Sequence, residues 1–108
     1  MSTLIVITQA PDREVALQIA HALIERKLAA CVNILAACTS IYRWKDKVET
    51  ATEVPLLIKT RAALYDELEA AIQSLHPYEL PEIVAVSVAQ GLPGYLQWIN
   101  SETITEIG

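Results

Sequence analysis

Apolar and polar positions along the chain predict alternating strands and helices. Thr3 to Thr8 is a near-continuous β-branched run, typical of a strand that is buried on both faces. From Arg13 to Lys27 the apolar residues follow the 3.6-residue period of a helix, and Asp12 is placed to cap its first turn. His21 falls almost opposite the apolar face of that helix. We therefore expect an exposed and chemically inert histidine.

The longest pattern runs from Ala30 to Thr60. Two arms rich in β-branched and aromatic residues, Cys31 to Trp44 and Val48 to Thr60, meet at the polar tip Lys45-Asp46-Lys47 and predict a hairpin. A continuous arm of about 14 residues would run roughly 45 Å, whereas a 100-residue domain has a radius of gyration near ~13 Å. We therefore predict an assembly arm whose free edges pair with another chain. Pro55 predicts a bulge or a local edge in the second arm.

The second half repeats the order of strand and helix. Thr60 is expected to cap a helix over Arg61 to Leu75, and Ile83 to Val88 predicts a second buried strand. A short helix is expected from Tyr95 to Asn100, and the tail Glu102 to Gly108 is expected to fray or to add an edge strand. The order β-α-β-β-α-β-α predicts an α+β, ferredoxin-like βαββαβ sandwich with a long hairpin between its second and third predicted strands and a short C-terminal helix.

Composition narrows the class of protein. The chain has 108 residues, of which 53% are hydrophobic, so it is predicted to form a single domain over residues 1–108. A net charge of −5 and a pI of about 4.9 argue against a nucleic-acid or anionic-membrane partner. The absence of a long apolar run or a secretory leader favours the cytoplasm, where both cysteines are expected to be thiols.

The densest set of chemical groups lies between His76 and Glu82, in the sequence HPYELPE. A borderline divalent metal could use His76 with Glu79 or Glu82, and Cys31 as a thiolate if the fold brings it near. The alternative is that His76 caps the end of the preceding helix and that Glu82 is a surface group or pairs with Lys59. Cys31 and Cys38 are seven positions apart, so a metal site shared by them would need a bulge near Ala36-Ala37.

The tip of the hairpin carries a second ambiguous set, Tyr42-Arg43-Trp44. These residues either line a ligand pocket or act as aromatic anchors at a subunit interface. The sequence contains none of the CxxC, HExxH, GxGxxG or Walker-type motifs. It therefore gives no positive indication of an enzyme.

Taken together, these stretches resemble the CutA family of divalent-cation tolerance proteins. The matching pieces occur in family order and extend from Thr8 to Ile99: TQAPD, KLAACVNI, SIYRWKDKVE, the run from Glu53 to Thr60, HPYELPEI and YLQWI. The resemblance implies a ferredoxin-like subunit similar to the nitrogen-regulatory PII proteins. It also implies a homotrimer in which the long hairpins pair between neighbours.

The family is associated with tolerance to divalent cations, above all copper, and no catalytic reaction is established for it as a whole. Its copper-linked pattern places a cysteine near the end of the first strand and two histidines before the Pro-Tyr pair. Here those positions hold Thr8, Leu75 and His76, so only His76 matches. The other matching positions are expected to line a cleft between subunits: Cys31, Tyr42, Trp44, Lys59, Tyr78, Glu82 and Trp98.

Three hypotheses follow. The first is a cytoplasmic, non-enzymatic trimer that serves divalent-cation (copper) tolerance with weak or indirect metal binding, with copper or another divalent cation as its possible cofactor. The second is a PII-like sensor of a small metabolite in the intersubunit cleft. The third is an enzyme that uses Cys31 or His76 as nucleophile or base, which the acidic composition disfavours because a reactive thiolate needs an electropositive setting.

Overall fold

A computed structural model describes residues 2–104 of the chain. Its elements are β1 (Thr3–Ala10), α1 (Arg13–Glu25), β2 (Cys31–Ile34), β3 (Cys38–Trp44), β4 (Lys47–Arg61), α2 (Tyr65–Leu75), β5 (Ile83–Ser87) and α3 (Pro93–Ser101). The main sheet is antiparallel with the strand order β2-β4-β1-β5, and β3 pairs with the outer part of β4. This arrangement confirms the predicted ferredoxin-like α+β fold. No helix within residues 2–104 is long and apolar enough to cross a membrane.

The core lies between one face of the sheet and the helices α1 and α2. Val6 on β1 and Ile58 on β4 are directly opposed, fully buried, and packed in the same cluster as Leu23 and Leu68 of the two helices. The predicted 3.6-residue pattern therefore marks the core correctly. The predicted burial of the second β-branched run is wrong for the single chain, because β5 is an edge strand and its Val84 and Val86 are each 49% exposed. His21 is exposed, as the helical pattern predicts.

The ends of α1 follow from local chemistry. The Asp12 carboxylate accepts a hydrogen bond of 2.9 Å from the Val15 amide, which confirms the predicted cap. The helix ends at Glu25, two residues earlier than predicted, because Lys27 adopts a left-handed φ of 56°. The Leu28 amide then donates to the Leu23 carbonyl at 2.9 Å, the closing bond of a Schellman motif that usually has glycine at the position of Lys27.

The start of α2 is where the prediction was wrong. Thr60 does not cap a helix, because it lies inside β4, where it pairs with Leu4 and donates its hydroxyl to the Leu28 carbonyl at 2.6 Å. β4 continues to Arg61, a short 3₁₀ turn follows over Ala62–Leu64, and α2 begins at Tyr65. Pairing with β1 satisfies the backbone of this stretch, and that outweighs the capping preference of threonine.

The predicted first arm of the hairpin is divided. β2 ends where Ile34 pairs with Leu56, and β3 begins where Cys38 pairs with Glu53. Three residues, 35–37, therefore stand opposite two residues of β4, which is the count of a β-bulge. The extra residue lies near Ala36-Ala37, where a bulge was considered, and it faces Val54 and Pro55, where a bulge or a local edge was predicted. On its other side Pro55 keeps its register with Gln9 of β1.

Only the outer part of the hairpin projects from the body. β2 and the second half of β4 belong to the main sheet, so the free ribbon consists of β3 and Lys47–Glu53. The molecule measures 44 × 29 × 23 Å, with a radius of gyration of 14.4 Å. The ribbon is therefore shorter than the continuous arm of roughly 45 Å that the sequence suggested. The predicted tail falls largely outside the described residues, which end at Ile104.

Candidate functional site

A groove of about 590 Å³ separates the projecting ribbon from the segment that joins α2 to β5. It is lined from the ribbon by Ser40, Ile41, Tyr42, Trp44 and Glu53, and from the connecting segment by Tyr78, Glu79, Leu80 and Glu82. Its volume lies within the range of small-molecule sites, roughly 300–1,000 Å³. Four of the predicted cleft residues therefore meet here: Tyr42, Trp44, Tyr78 and Glu82.

Strand alternation explains the ribbon side of the groove. Ser40, Tyr42 and Trp44 are two positions apart, so they share one face of β3. Glu53 is directly opposite Cys38 in the antiparallel pair, which places its side chain on that same face of the ribbon. The ribbon thus presents aromatic rings near its tip and a carboxylate at its base.

The connecting segment is held against the body by His76, which is only 8% exposed. Its Nε2 lies 2.6 Å from the Gln9 carbonyl oxygen, and the Tyr78 amide lies 3.2 Å from its Nδ1. A carbonyl only accepts and an amide only donates, so Nε2 carries the proton and Nδ1 accepts. His76 is therefore a neutral bridge between β1 and the segment that carries Tyr78.

This bonding does not suit a metal ligand. Both ring nitrogens of His76 are engaged by the backbone, so a metal would have to break the hydrogen bond from Tyr78. Within residues 2–104 no group of three or more His, Cys, Asp or Glu side chains is placed to hold a metal ion. Thr8, which stands where the copper-linked pattern has cysteine, is fully buried, and its hydroxyl has no hydrogen-bond partner in the described part of the chain. The residues present do not fit a copper site at this position.

The two cysteines do not form a shared site either. Cys31 pairs with Lys59 and Cys38 with Glu53, so they are separated by six positions along β4, roughly 20 Å at ~3.3 Å per residue. The Cys38 thiol instead donates to the Gln9 side-chain oxygen at 3.7 Å. Both cysteines are free thiols.

The groove is electrically negative. Glu53 is 8% exposed, although it carries a carboxylate. Burial, followed by the adjoining Glu53 carboxylate, raises the pKa of Tyr78 from 10.0 to about 12. At the rim, the Lys45 ammonium lies 3.9 Å from a Glu79 carboxylate oxygen and 5.6 Å from the centre of the Trp44 ring.

The remaining predicted cleft residues lie elsewhere. Cys31 and Lys59 face each other across β2 and β4, and the Lys59 ammonium donates to the Asn33 side-chain oxygen. Tyr95 connects this pair to Trp98, because its hydroxyl adjoins the Cys31 thiol and its ring stacks on Trp98 with centroids 5.6 Å apart. Burial, followed by the adjoining thiol, raises the pKa of Tyr95. The residues that the sequence predicted to line one cleft therefore form two separate clusters within a single chain.

Sequence reasoning missed Glu53 as a site residue, although it noted Glu53 within a matching motif. Glu53 faces the groove because its register with Cys38 places it on the same side of the ribbon as Tyr42 and Trp44. That register depends on the bulge at residues 35–37, which the sequence indicates only weakly. The signal available was the alternation of Ser40, Tyr42 and Trp44 with a carboxylate on the opposing arm.

Comparison with known proteins places this geometry in a family. The sequence profile described as "CutA1 divalent ion tolerance protein" matches residues 4–102. The "Divalent-cation tolerance protein CutA" of Thermus thermophilus is 46% identical over 99 residues, which cover 92% of this chain and 96% of that protein. "Protein CutA" of Mus musculus is 46% identical over 93 residues, which cover 86% of this chain. The chain spans 52% of the mouse protein and 60% of a Xenopus laevis homologue.

Solved structures agree with the sequence matches. A crystal structure of CutA1 from Oryza sativa superposes with a TM-score of 0.95 at 36% identity, covering 98% of this chain and 97% of the rice chain. The structure of the divalent cation tolerance protein from Thermus thermophilus gives a TM-score of 0.92 at 44% identity, covering 94% of this chain and 98% of that one. By its profile match, its sequence identity and its fold, the chain belongs to the CutA1 family of divalent ion tolerance proteins.

Proposed function

We propose that this protein serves divalent-cation tolerance as a non-enzymatic homotrimer whose contact with metal ions is weak or indirect. Membership of the CutA1 family carries the proposal, because the match extends over residues 4–102 and the Thermus relative is named for this role. The engagement of both His76 nitrogens supports the weak or indirect character of metal contact. Copper is the cation proposed for the first test.

We propose that the trimer forms through the long hairpins, as the family resemblance implies, and that it covers the open face of the sheet. Ile5 and Ile7 of β1 are paired with Val86 and Val84 of β5, and both valines are 49% exposed. Leu57 of β4 is directly opposite Ile7, which extends the same apolar face. Such a contiguous apolar surface beside a projecting ribbon favours burial against other copies of the chain. A monomeric mass by sedimentation at micromolar concentration would overturn this part of the proposal.

The experiment on metal binding is a calorimetric titration with Cu(II) of the wild type beside His76→Ala and Cys31→Ala. We expect weak binding that is unchanged in the three proteins. Because His76 bridges two backbone segments, circular dichroism first establishes that His76→Ala is folded. Tight, stoichiometric binding that either variant loses would replace the proposal with a direct metal site at that residue.

The groove favours a second candidate, a sensor of a small metabolite. Its volume of about 590 Å³ and its aromatic and carboxylate lining suit an organic ligand better than a bare ion. In a trimer, Cys31, Lys59 and Trp98 would contribute to such a cleft from a different cluster than Tyr42, Trp44, Tyr78 and Glu82. A thermal-shift screen that finds no stabilising metabolite at saturating concentration would argue against this function.

The cytoplasm is the proposed compartment, supported by two free thiols of the kind that reducing compartments maintain. A relative from Arabidopsis thaliana is named as chloroplastic, and an Archaeoglobus fulgidus structure is described as periplasmic. The absence of catalysis is likewise part of the proposal. Alkylation of Cys31 only under denaturing conditions would support it, whereas rapid alkylation of the native protein would favour a reactive thiolate.

A further inference from the structure

Glu53 is the most informative side chain in the groove, because it is acidic and yet only 8% exposed. The pair formed by Lys45 and Glu79 is the one ion pair within residues 2–104, so no cation of the described chain neutralises Glu53. The Tyr78 hydroxyl adjoins the Glu53 carboxylate, but a neutral donor leaves the charge uncompensated. Burying a carboxylate without an opposite charge beside it is costly, so this position is suited to receive a cation.

The aromatic side chains that line the groove also favour a positively charged ligand. Tyr42, Trp44 and Tyr78 line the groove, and the negative faces of such rings attract ammonium and guanidinium groups. The chain already contains one example at the rim, where the Lys45 ammonium lies 5.6 Å from the Trp44 ring centre and 3.9 Å from Glu79. The groove therefore combines the two features that bind organic cations, a carboxylate and an aromatic wall.

A bare metal ion fits this arrangement less well. Glu53, Glu79 and Glu82 all line the groove, yet within residues 2–104 no group of such side chains is placed to hold a metal ion. A divalent ion would thus meet one carboxylate at a time and gain nothing from the apolar walls. A cation with a hydrocarbon body uses both the carboxylates and the rings.

We propose that the groove binds a small organic amine, whose ammonium group pairs with Glu53 while its hydrocarbon body lies against Tyr42 and Trp44. This inference rests on the proposed function of the groove as a ligand site and specifies its ligand class. A chain with an ammonium at each end would also reach Glu79 or Glu82 at the open side. Metabolites that carry only carboxylate or phosphate groups would be repelled.

The test uses 1,6-diaminohexane as the probe and 1,6-hexanediol as its neutral counterpart of similar shape. Binding is followed by calorimetry of the wild type, and the change in its fluorescence is assigned to one of the two tryptophans with the variants Trp44→Phe and Trp98→Phe. We expect the diamine to bind stoichiometrically and to change Trp44 emission, while the diol does neither. Binding of the diol with equal affinity, or no binding of the diamine at millimolar concentration, would overturn the proposal.

Two Glu→Gln variants test which carboxylate binds the ammonium group of the diamine. Glu53→Gln keeps the shape of the side chain and is expected to weaken diamine binding by about tenfold or more, because a charge-assisted hydrogen bond is lost. Glu25→Gln removes the same charge from the exposed end of α1, outside the groove, and is expected to change affinity by less than about twofold. Equal loss in both variants would show diffuse attraction by an acidic protein and would contradict a built site.

Lys45→Met is expected to have the opposite effect on the affinity for the diamine. It removes the resident ammonium from the rim, so we expect diamine binding to tighten by about two- to fivefold. The remaining alternative is that Glu53 pairs with a cation from a second copy of the chain, for which the proposed trimer offers Lys59. In that case Glu53→Gln would lower the sedimenting mass, and the groove would be an interface between copies. These results are independent of the Cu(II) titration. If the diamine does not bind, the proposed role in divalent-cation tolerance is unaffected. If copper binds tightly, the proposed binding of amines in the groove is unaffected.

Discussion

The two halves of β4 show how differently one strand can be stabilised. In its second half the side chains that face the helices are almost completely buried: Val54, Leu56, Ile58 and Thr60 are between 0% and 8% exposed. In the first half of β4, which pairs with β3, the side chain of Val48 is 65% exposed. The body is thus stable through its own core, whereas the ribbon depends on cross-strand pairing and on whatever covers it. The difference separates the residues that make the fold from those that are free to make contacts.

The largest expected effect tests the buried half. Ile58→Ala should lower the free energy of unfolding by about 3 kcal/mol, because the site is fully buried and the removed methyl groups leave a cavity. Val48→Ala, its counterpart in the ribbon, should change it by less than about 0.5 kcal/mol. Urea unfolding at several protein concentrations gives both values. A large and concentration-dependent cost for Val48→Ala would show that other copies cover the ribbon.

The next effect concerns assembly through the ribbon. Trp44→Ala should weaken association of the subunits by about tenfold or more while leaving the far-ultraviolet circular dichroism unchanged, because large aromatic side chains commonly anchor interfaces. Sedimentation over a range of concentrations measures the change. Thr39→Ala, which changes an exposed residue on the opposite face of β3 that does not line the groove, is the control. A Trp44→Ala protein with the mass and melting temperature of the wild type would leave Trp44 as a groove residue and no anchor.

A smaller effect tests the turn of the ribbon. Lys45 and Asp46 connect β3 and β4 with φ angles of 50° and 66°, the positive pair of a type I′ turn. Asp46→Gly should therefore raise the free energy of unfolding by about 0.5–1 kcal/mol, since glycine adopts positive φ without strain. Lys27→Gly makes the same change in the body, at a φ of 56°. A gain for Lys27→Gly alone would mean that the ribbon does not unfold together with the body.

The smallest effect is electrostatic and belongs to the groove. Because the pKa of Tyr78 is raised in the folded protein from 10.0 to about 12, its contribution to stability is complete below pH 10 and is lost as the pH rises toward 12. Ultraviolet titration of tyrosinate in the wild type and in Tyr78→Phe isolates this group. Glu53→Gln should return the pKa toward 10, since it removes the adjoining negative charge. An unchanged Tyr78 titration in Glu53→Gln would place that carboxylate away from the hydroxyl.

The sequence predicted those elements whose signal is local. β1 and β5 are marked by their own β-branched runs and α1 by its 3.6-residue period, and the Asp12 cap needs only the residues beside it. The start of α2 was not predictable in this way, because Thr60 is a good cap by type and a strand residue by virtue of its pairing with Leu4. Tertiary pairing decided between two locally acceptable structures.

The candidate site was predicted in part for the same reason. Tyr42 and Trp44 share a face by simple alternation, and the prolines around Tyr78 and Glu82 marked a distinct segment. The contact between ribbon and segment is long-range, and so is the register that turns Glu53 into the groove. His76 was noticed for its chemistry, but its backbone partner, Gln9, lies 67 positions away and carries no sequence signal.

The bulge at residues 35–37 has a consequence for how the groove can change. Ile34 keeps its pairing with Leu56, and Cys38 keeps its pairing with Glu53, on either side of one extra residue. Bulges bend the strand that contains them and increase its twist. A chain shorter by one residue here would retain both pairings in a straighter ladder, and the ribbon would stand at another angle to Tyr78. The width of the groove is therefore encoded in the length of the chain, a property that insertion and deletion alter and that no side-chain substitution reproduces.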